Sequence, residues 1–171
     1  IGTQYHRKAY PVNLPKYIKP LPLYLRDAGY YTTNNNKEDY NFKKENEIWD
    51  ESSSKATYKN RKVNQPFFHV QNFGDTHEGR LHFDEEYFKK EIENFNIENT
   101  PTFPYHPDTP IFRFTRELLY KHHMSLDSKI GEFIKDLEKQ GLMENTIIFY
   151  YGDHGGVLPR SKGYLYESGL N

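Results

Sequence analysis

The stretch from Thr109 to Tyr151 constrains the fold more than any other part of the chain. Between Thr109 and Gln140, Leu118, Leu119, His122, Leu126, Ile130, Phe133, Ile134 and Leu137 recur at three- and four-residue spacing. That period lines them along one stripe of an α-helix, and Gly141 supplies its stop. Shortly afterwards comes Thr146-Ile147-Ile148-Phe149-Tyr150-Tyr151, apolar on both faces and closed by Gly152. Such a run suits a central strand of a sheet covered by helices. A long amphipathic helix feeding a doubly buried strand leaves few fold classes open.

The upstream pattern agrees. Pro20 to Ala28, with Leu21, Leu23, Leu25 and Ala28 beside Arg26-Asp27, suits a short helix with proline in its first turn and Gly29 after its end. A strand over Tyr30 to Thr33 should follow. Pro66-Phe67-Phe68-His69-Val70-Gln71-Asn72-Phe73 is aromatic, β-branched and bounded by Pro66 and Gly74, which favours a buried strand. Alternation of helix and strand indicates an α/β sheet, in which ligands bind beyond the carboxyl ends of the strands. Past the three expected strands lie Asn34-Asn35-Asn36-Lys37, Asp75-Thr76-His77-Glu78 and Asp153-His154-Gly155-Gly156.

Composition narrows the function classes. With 23 Lys+Arg against 24 Asp+Glu, the net charge of −1 gives no electrostatic case for a nucleic-acid or membrane-surface partner. No apolar run approaches the roughly 20 residues of a membrane-spanning helix. Only 35% of the chain is hydrophobic, but 15 Tyr and 12 Phe supply the large side chains a folded domain needs. Cysteine is absent, which removes disulfides and thiolate chemistry from these residues. The 171 residues fit one domain or part of one. The polar stretch Lys43 to Asn64 reads as a surface excursion. The chain opens at Ile1-Gly2-Thr3 and stops at Gly169-Leu170-Asn171, so it is expected to be an internal piece of a longer protein.

Several residues could carry chemistry. Asp153-His154, on a glycine-rich turn, pairs a carboxylate with an imidazole and could hold a divalent cation; the alternative is a turn in which Asp153 caps a local amide. His77 could bind an anion or protonate a departing oxygen, against a polar loop with Asp75 as its turn residue. Lys162 could set a compact charge on a tetrahedral anion and Arg160 a fork, against the ordinary solvated loop cation. His122-His123 should give one packed and one exposed ring. Lys89, Lys90, Glu91 and Glu93 suit a solvated helix face.

These pieces acquire a common meaning through a resemblance. Asp127 to Ile148, from Asp127-Ser128-Lys129-Ile130-Gly131 to Asn145-Thr146-Ile147-Ile148, followed by Gly152-Asp153-His154-Gly155, resembles the segment of type I sulfatases that leads into their second metal-binding pair. Leu23-Tyr24-Leu25-Arg26-Asp27-Ala28-Gly29-Tyr30 is similar to the helix and strand after the sulfatase nucleophile region. Phe73-Gly74-Asp75-Thr76-His77 is similar to the strand end with a sulfate-binding histidine, and Lys162-Gly163-Tyr164-Leu165-Tyr166-Glu167-Ser168-Gly169 to the loop with an active-site lysine. The resemblance covers most of the chain, least over Lys43 to Asn64 and His82 to Pro107. It looks closest to sulfatases of sulfated sugars such as glycosaminoglycans, including heparan-type sulfamidases.

The resemblance implies an alkaline-phosphatase-like α/β fold, a mixed sheet covered by helices on both faces, of which residues 1–171 are an incomplete internal part. It implies hydrolysis of a sulfate ester or sulfamate of a saccharide by a formylglycine nucleophile, made from Cys or Ser in Cys/Ser-x-Pro-x-Arg, with a divalent cation, calcium by preference and Mn2+ or Mg2+ as alternatives. Asp153 matches a metal ligand, and His154 stands at the neighbouring ligand position, often Asn. Imidazole is a poorer calcium partner than an amide oxygen. His77 and Lys162 match sulfate-binding residues. Lys37 falls near the lysine of a Gly-Lys-x-His motif, with Asp39 where the histidine would stand.

Neither the nucleophile motif nor an early Asp-Asp pair occurs in the sequence. Both are expected upstream and a C-terminal subdomain downstream, so this chain alone is expected to bind metal weakly and turn nothing over. The family's members of this kind are exported, which implies a periplasmic or secreted protein. Two alternatives stand: a phosphodiesterase or phosphonate monoester hydrolase of the same superfamily, and a non-catalytic carbohydrate-binding protein using its aromatic rings.

Overall fold

A computed structural model describes residues 12–40, 42–44, 47–156, 158–162 and 166–167. The chain divides into two compact units, Ile1–Asn72 and Phe73–Asn171.

The first unit is a small parallel sheet with one helix. Helix α1 spans Leu21–Asp27; Pro20 precedes it with an extended backbone, and Gly29 reverses the chain at φ +90°, a conformation glycine adopts at no steric cost. Strand β1, Tyr31–Asn35, lies between β2, Glu51–Ser52, and β3, Phe67–Gln71, all parallel, with Thr33 opposite both Glu51 and His69. The expected strands at Tyr30 and Pro66 thus form, each shifted or trimmed at its ends.

Central strand β1 is buried yet polar, with Thr32, Thr33 and Asn34 all inaccessible. It survives burial because each side chain is bonded. Asp50 accepts from the Thr32 amide at 2.8 Å and its hydroxyl at 3.1 Å, and meets Arg26 of α1 at 3.1 Å, so one carboxylate ties helix to strand. Thr33 Oγ1 lies 2.7 Å from His69 Nδ1, while His69 Nε2 faces Gln71 Oε1 at 3.2 Å. The amide oxygen can only accept, so the neutral ring carries its proton on Nε2 and takes the Thr33 hydroxyl at Nδ1. Burial pushes the His69 imidazole below its usual pKa.

The stretch 43–64 corrects the sequence reading. It supplies Ile48, Trp49, Ala56 and Tyr58 to the core, with Trp49 stacked on Phe68 at 5.8 Å and Tyr58 on Phe67 at 4.7 Å. Aromatic anchors set singly among Lys, Asn and Ser bury a polar-looking segment.

The second unit is built on the long helix α3, Pro110–Lys139, with Thr109 before it and Gly141, at φ +66°, after it. Of the expected stripe Leu118, Leu126 and Leu137 are buried and Leu119, His122, Ile130, Phe133 and Ile134 half-buried, with His123 exposed; Phe114, outside that stripe, is buried as well. Phe114 is fully inaccessible and receives Phe83, Phe88 and Phe95 edge-on at 5.0 to 5.2 Å. Helix α2, Glu85–Glu91, is capped by Asp84 and carries a Glu85–Lys89 pair at 2.6 Å, the solvated charged face expected there.

One prominent expectation fails. Thr146 to Tyr151 is not a strand: Ile147 is 82% exposed, Phe149 82%, Tyr150 70% and Tyr151 76%, and among the described residues it pairs with no strand. An apolar run becomes a central strand only where two neighbours offer ladders, and none does so among the described residues. Among the described residues the sheet is three-stranded and parallel and the elements around it are helices, an α/β arrangement consistent with the fold that the resemblance implies and a small part of it.

Candidate functional site

In the second unit, the turn after Phe73 and the turn that ends at Lys162 come together. His77 begins a one-turn 3-10 helix, Glu78–Leu81, and its Nδ1 accepts the Gly79 amide at 3.1 Å. With Nδ1 used as an acceptor, the neutral imidazole carries its proton on Nε2 and presents that N–H as its free donor. Asp75, two residues earlier, fixes the approach to this turn: its Oδ1 accepts from Lys129 Nζ at 2.6 Å and from Ser125 Oγ at 2.9 Å, both on α3. The Lys129 ammonium beside it holds the Asp75 carboxyl below the usual carboxylate range. Asp75 is therefore not merely a local turn residue; it is an anchor to the helix.

Lys162 reaches back to the same turn. Its Nζ donates to Glu78 Oε2 at 2.6 Å across 84 positions of sequence, with both side chains a little over one-third exposed. That bond holds the Glu78 carboxyl below its usual range. Lys162 and Glu78, the residue after His77, are thus neighbours. The resemblance points to His77 and Lys162, but Glu78 carries no signal of its own, because no local spacing shows a contact across 84 positions.

Asp153 and His154 stand side by side, with His154 Nε2 3.4 Å from Asp153 Oδ1 and His154 Nδ1 3.1 Å from the Gly155 carbonyl. The carbonyl can only accept, so a neutral ring donates from Nδ1 and turns the Nε2 lone pair toward the carboxylate. Two acceptors facing each other at this distance suit a cation held by both, and the residues fit part of a divalent site. Among the described residues no cluster of three or more His, Cys, Asp or Glu completes it. Two ligands alone give weak binding.

Lys37 belongs to the first unit, in the turn after β1. Asn36 takes a left-handed backbone there at φ 75°, which Asn tolerates better than most residues. The Lys37 carbonyl accepts from Asn34 Nδ2 at 2.9 Å, Asn34 Oδ1 accepts from Asn72 at 3.0 Å, and Gln71 donates to Asn35 Oδ1 at 3.1 Å. This amide network at the ends of β1 and β3 fixes the backbone carrying Lys37. Arg160, the other cation considered, lies with its guanidinium over Tyr105 at 4.6 Å and Tyr166 at 4.3 Å.

Comparison with known proteins gives these turns a family. The sulfatase family model matches residues 2–170. The chain is 40% identical over 196 aligned residues to an ulvan-active sulfatase of Formosa agariphila, covering 95% of this chain and 33% of that protein. The chain thus spans about a third of the length of that curated relative. A shorter likeness, 50% over 32 residues, links it to lipoteichoic acid synthase of Staphylococcus aureus, covering 19% of this chain and 5% of that protein. No solved structure matches. A family match across nearly the whole chain, with substantial identity to a sulfatase over the same span, means that this chain belongs to the sulfatase family.

Proposed function

We propose that the protein is a sulfuric ester hydrolase that releases sulfate from a sulfated saccharide, using a divalent cation and a formylglycine nucleophile supplied by residues beyond this chain. The observation that carries the reading is the 40% identity to a sulfatase over 95% of the chain. That relative's activity on ulvan supports a saccharide substrate. The 2.6 Å approach of Lys162 to the residue after His77 supports a shared anion site.

As the sulfur–oxygen bond to the sugar breaks, negative charge grows on the bridging oxygen and must meet donors already in place. His77, fixed through its Nδ1 by the Gly79 amide, offers Nε2–H to that oxygen or to an oxygen of the sulfate. Lys162 brings a compact positive charge, kept solvated and oriented by Glu78 until sulfate exchanges with the carboxylate. Exchange of one anionic partner for another spares the ammonium the cost of losing a charge partner. Asp153 and His154 would hold the cation, which when bound supplies Lewis-acid polarisation of a sulfate oxygen. Lys37 is assigned an anion-binding role on the resemblance of its sequence surroundings alone.

The test is to assay the full-length protein on paired sulfate and phosphate esters with added calcium or manganese. Sulfate release that disappears in Asp153→Ala is expected. Phosphodiester cleavage without sulfate release would overturn the reading in favour of another hydrolase of the alkaline-phosphatase superfamily. Saccharide binding without either activity would favour a non-catalytic carbohydrate-binding protein.

A further inference from the structure

We propose that His106 is a positioning residue for the Lys162 loop, setting the ammonium in place through a bond to the loop backbone; the proposal rests on the sulfate-binding role assigned to Lys162 above.

His106 is 7% exposed, and its Nε2 lies 3.2 Å from the Pro159 carbonyl oxygen, 53 positions away. The carbonyl accepts, so Nε2 carries the proton and Nδ1 is left as a bare acceptor. Nδ1 is buried and has no hydrogen-bond partner among the described residues. The rings of Phe103, Tyr105 and Phe112 lie 4.7 to 5.5 Å from the imidazole. A histidine in such a cage leaves a polar atom unsatisfied, and an apolar ring of similar shape would fill the space without that penalty. What only the histidine supplies is the bond to Pro159.

That bond acts at a strained point of the loop. The Pro159 carbonyl belongs to the peptide plane leading into Arg160, and Arg160 holds φ at +72°, a left-handed conformation that a non-glycine residue keeps only when its surroundings impose it. Tyr105, the neighbour of His106, receives the Arg160 guanidinium at 4.6 Å, so one short turn grips the loop at two successive residues. Beyond Arg160 the chain has little freedom left. Ser161 is buried and its amide donates to Leu158 at 3.2 Å; the Lys162 amide donates to Gly156 at 3.1 Å. The Lys162 side chain then departs toward Glu78. Release of the Pro159 plane would let the left-handed turn relax and swing the origin of the Lys162 side chain, and misplacement by about 1 Å can cost roughly a hundredfold in rate.

The test uses the full-length protein with His106→Phe, His106→Gln and Lys162→Ala, alone and with Lys162→Ala combined with His106→Phe. Sulfate release and thermal midpoints are measured on each. Phe keeps the ring and removes the donor; Gln places an N–H at the same reach as Nε2. The expected result is that His106→Phe folds with a midpoint at or above wild type yet loses about ten- to a hundredfold in kcat/KM. His106→Gln should recover most of that loss, and His106→Phe should cost nothing further once Lys162 is Ala. Unchanged kcat/KM in His106→Phe, failure of Gln to rescue a folded protein, or an equal loss in the Lys162→Ala background would overturn the proposal. Full activity of Lys162→Ala would instead refute the role of Lys162, and the positioning proposal with it, a failure distinguishable because it appears without any change at His106.

Discussion

Replacement of Phe114 by Ala should be the most destabilising single substitution in the second unit. The side chain is fully inaccessible and takes Phe83, Phe88 and Phe95 edge-on at 5.0 to 5.2 Å, with Tyr87 at 6.4 Å. Burying a ring of this size is worth about 2–3 kcal/mol, and each close edge-to-face pair adds about 0.5–1 kcal/mol. The sum is about 3.5–6 kcal/mol, centred near the upper end of the ~3–5 kcal/mol range for Phe→Ala in a core. Phe114→Leu keeps most of the transfer free energy and loses the ring pairs, so about 1.5–3 kcal/mol should go. Because Phe83 lies shortly after the turn that begins at His77, the same change should loosen that turn. Urea unfolding followed by far-UV circular dichroism, with wild type, Phe114→Ala and Phe114→Leu compared at one pH, measures all three. A loss below about 1.5 kcal/mol for Ala, or equal losses for Ala and Leu, would refute the view that this ring cluster is the keystone of the unit.

Other outcomes follow from the same geometry. The Asp75 carboxyl titrates below its ordinary value because of Lys129, so its stabilising contribution is complete above about pH 4 and lost as pH falls through the lowered folded value; unfolding midpoints from pH 6 to pH 2.5 should fall less steeply in Asp75→Asn, and identical slopes would remove Asp75 as an anchor. His154→Asn should shift metal preference toward calcium over manganese, since an amide oxygen suits the harder ion; calorimetric titration of both ions into the full-length variant checks this, and an unchanged ratio would take His154 out of the ligand set. Phe149→Lys should sharply lower aggregation of this chain by itself, because Ile147 to Tyr151 presents unpaired strand-forming residues to solvent; light scattering equal to wild type would contradict it.

The sequence made visible what depends on near neighbours. Helix α1 and helix α3 could be read from apolar spacing, from Pro20 and from Gly29 and Gly141, because those signals act within a turn or two of chain. Strand β2 could not be read, since a two-residue strand exists only through its register on β1. Ile48, Trp49, Ala56 and Tyr58 were hidden because single large side chains among Lys, Asn and Ser do not move an average, although they decide burial. The run from Thr146 to Tyr151 misled for the opposite reason: its composition states a preference for a ladder, and composition cannot supply the neighbouring strand. At the candidate site, residue type and position pointed to His77, Lys162, Asp153 and His154. The groups that orient them, Glu78 for Lys162, Lys129 for Asp75 and His106 for the loop before Lys162, lie 53 or 54 to 84 positions away and are joined only by folding.

If the two turns holding His77 and Lys162 bind one sulfate group, sulfate release by the full-length protein depends on both residues. Initial rates on a sulfated oligosaccharide would be compared for wild type, His77→Ala and Lys162→Ala, with folding verified for each. Either substitution should lower kcat/KM by about a hundredfold or more, in line with removing one preorganised donor from a developing charge. Wild-type rates in both folded variants would contradict it.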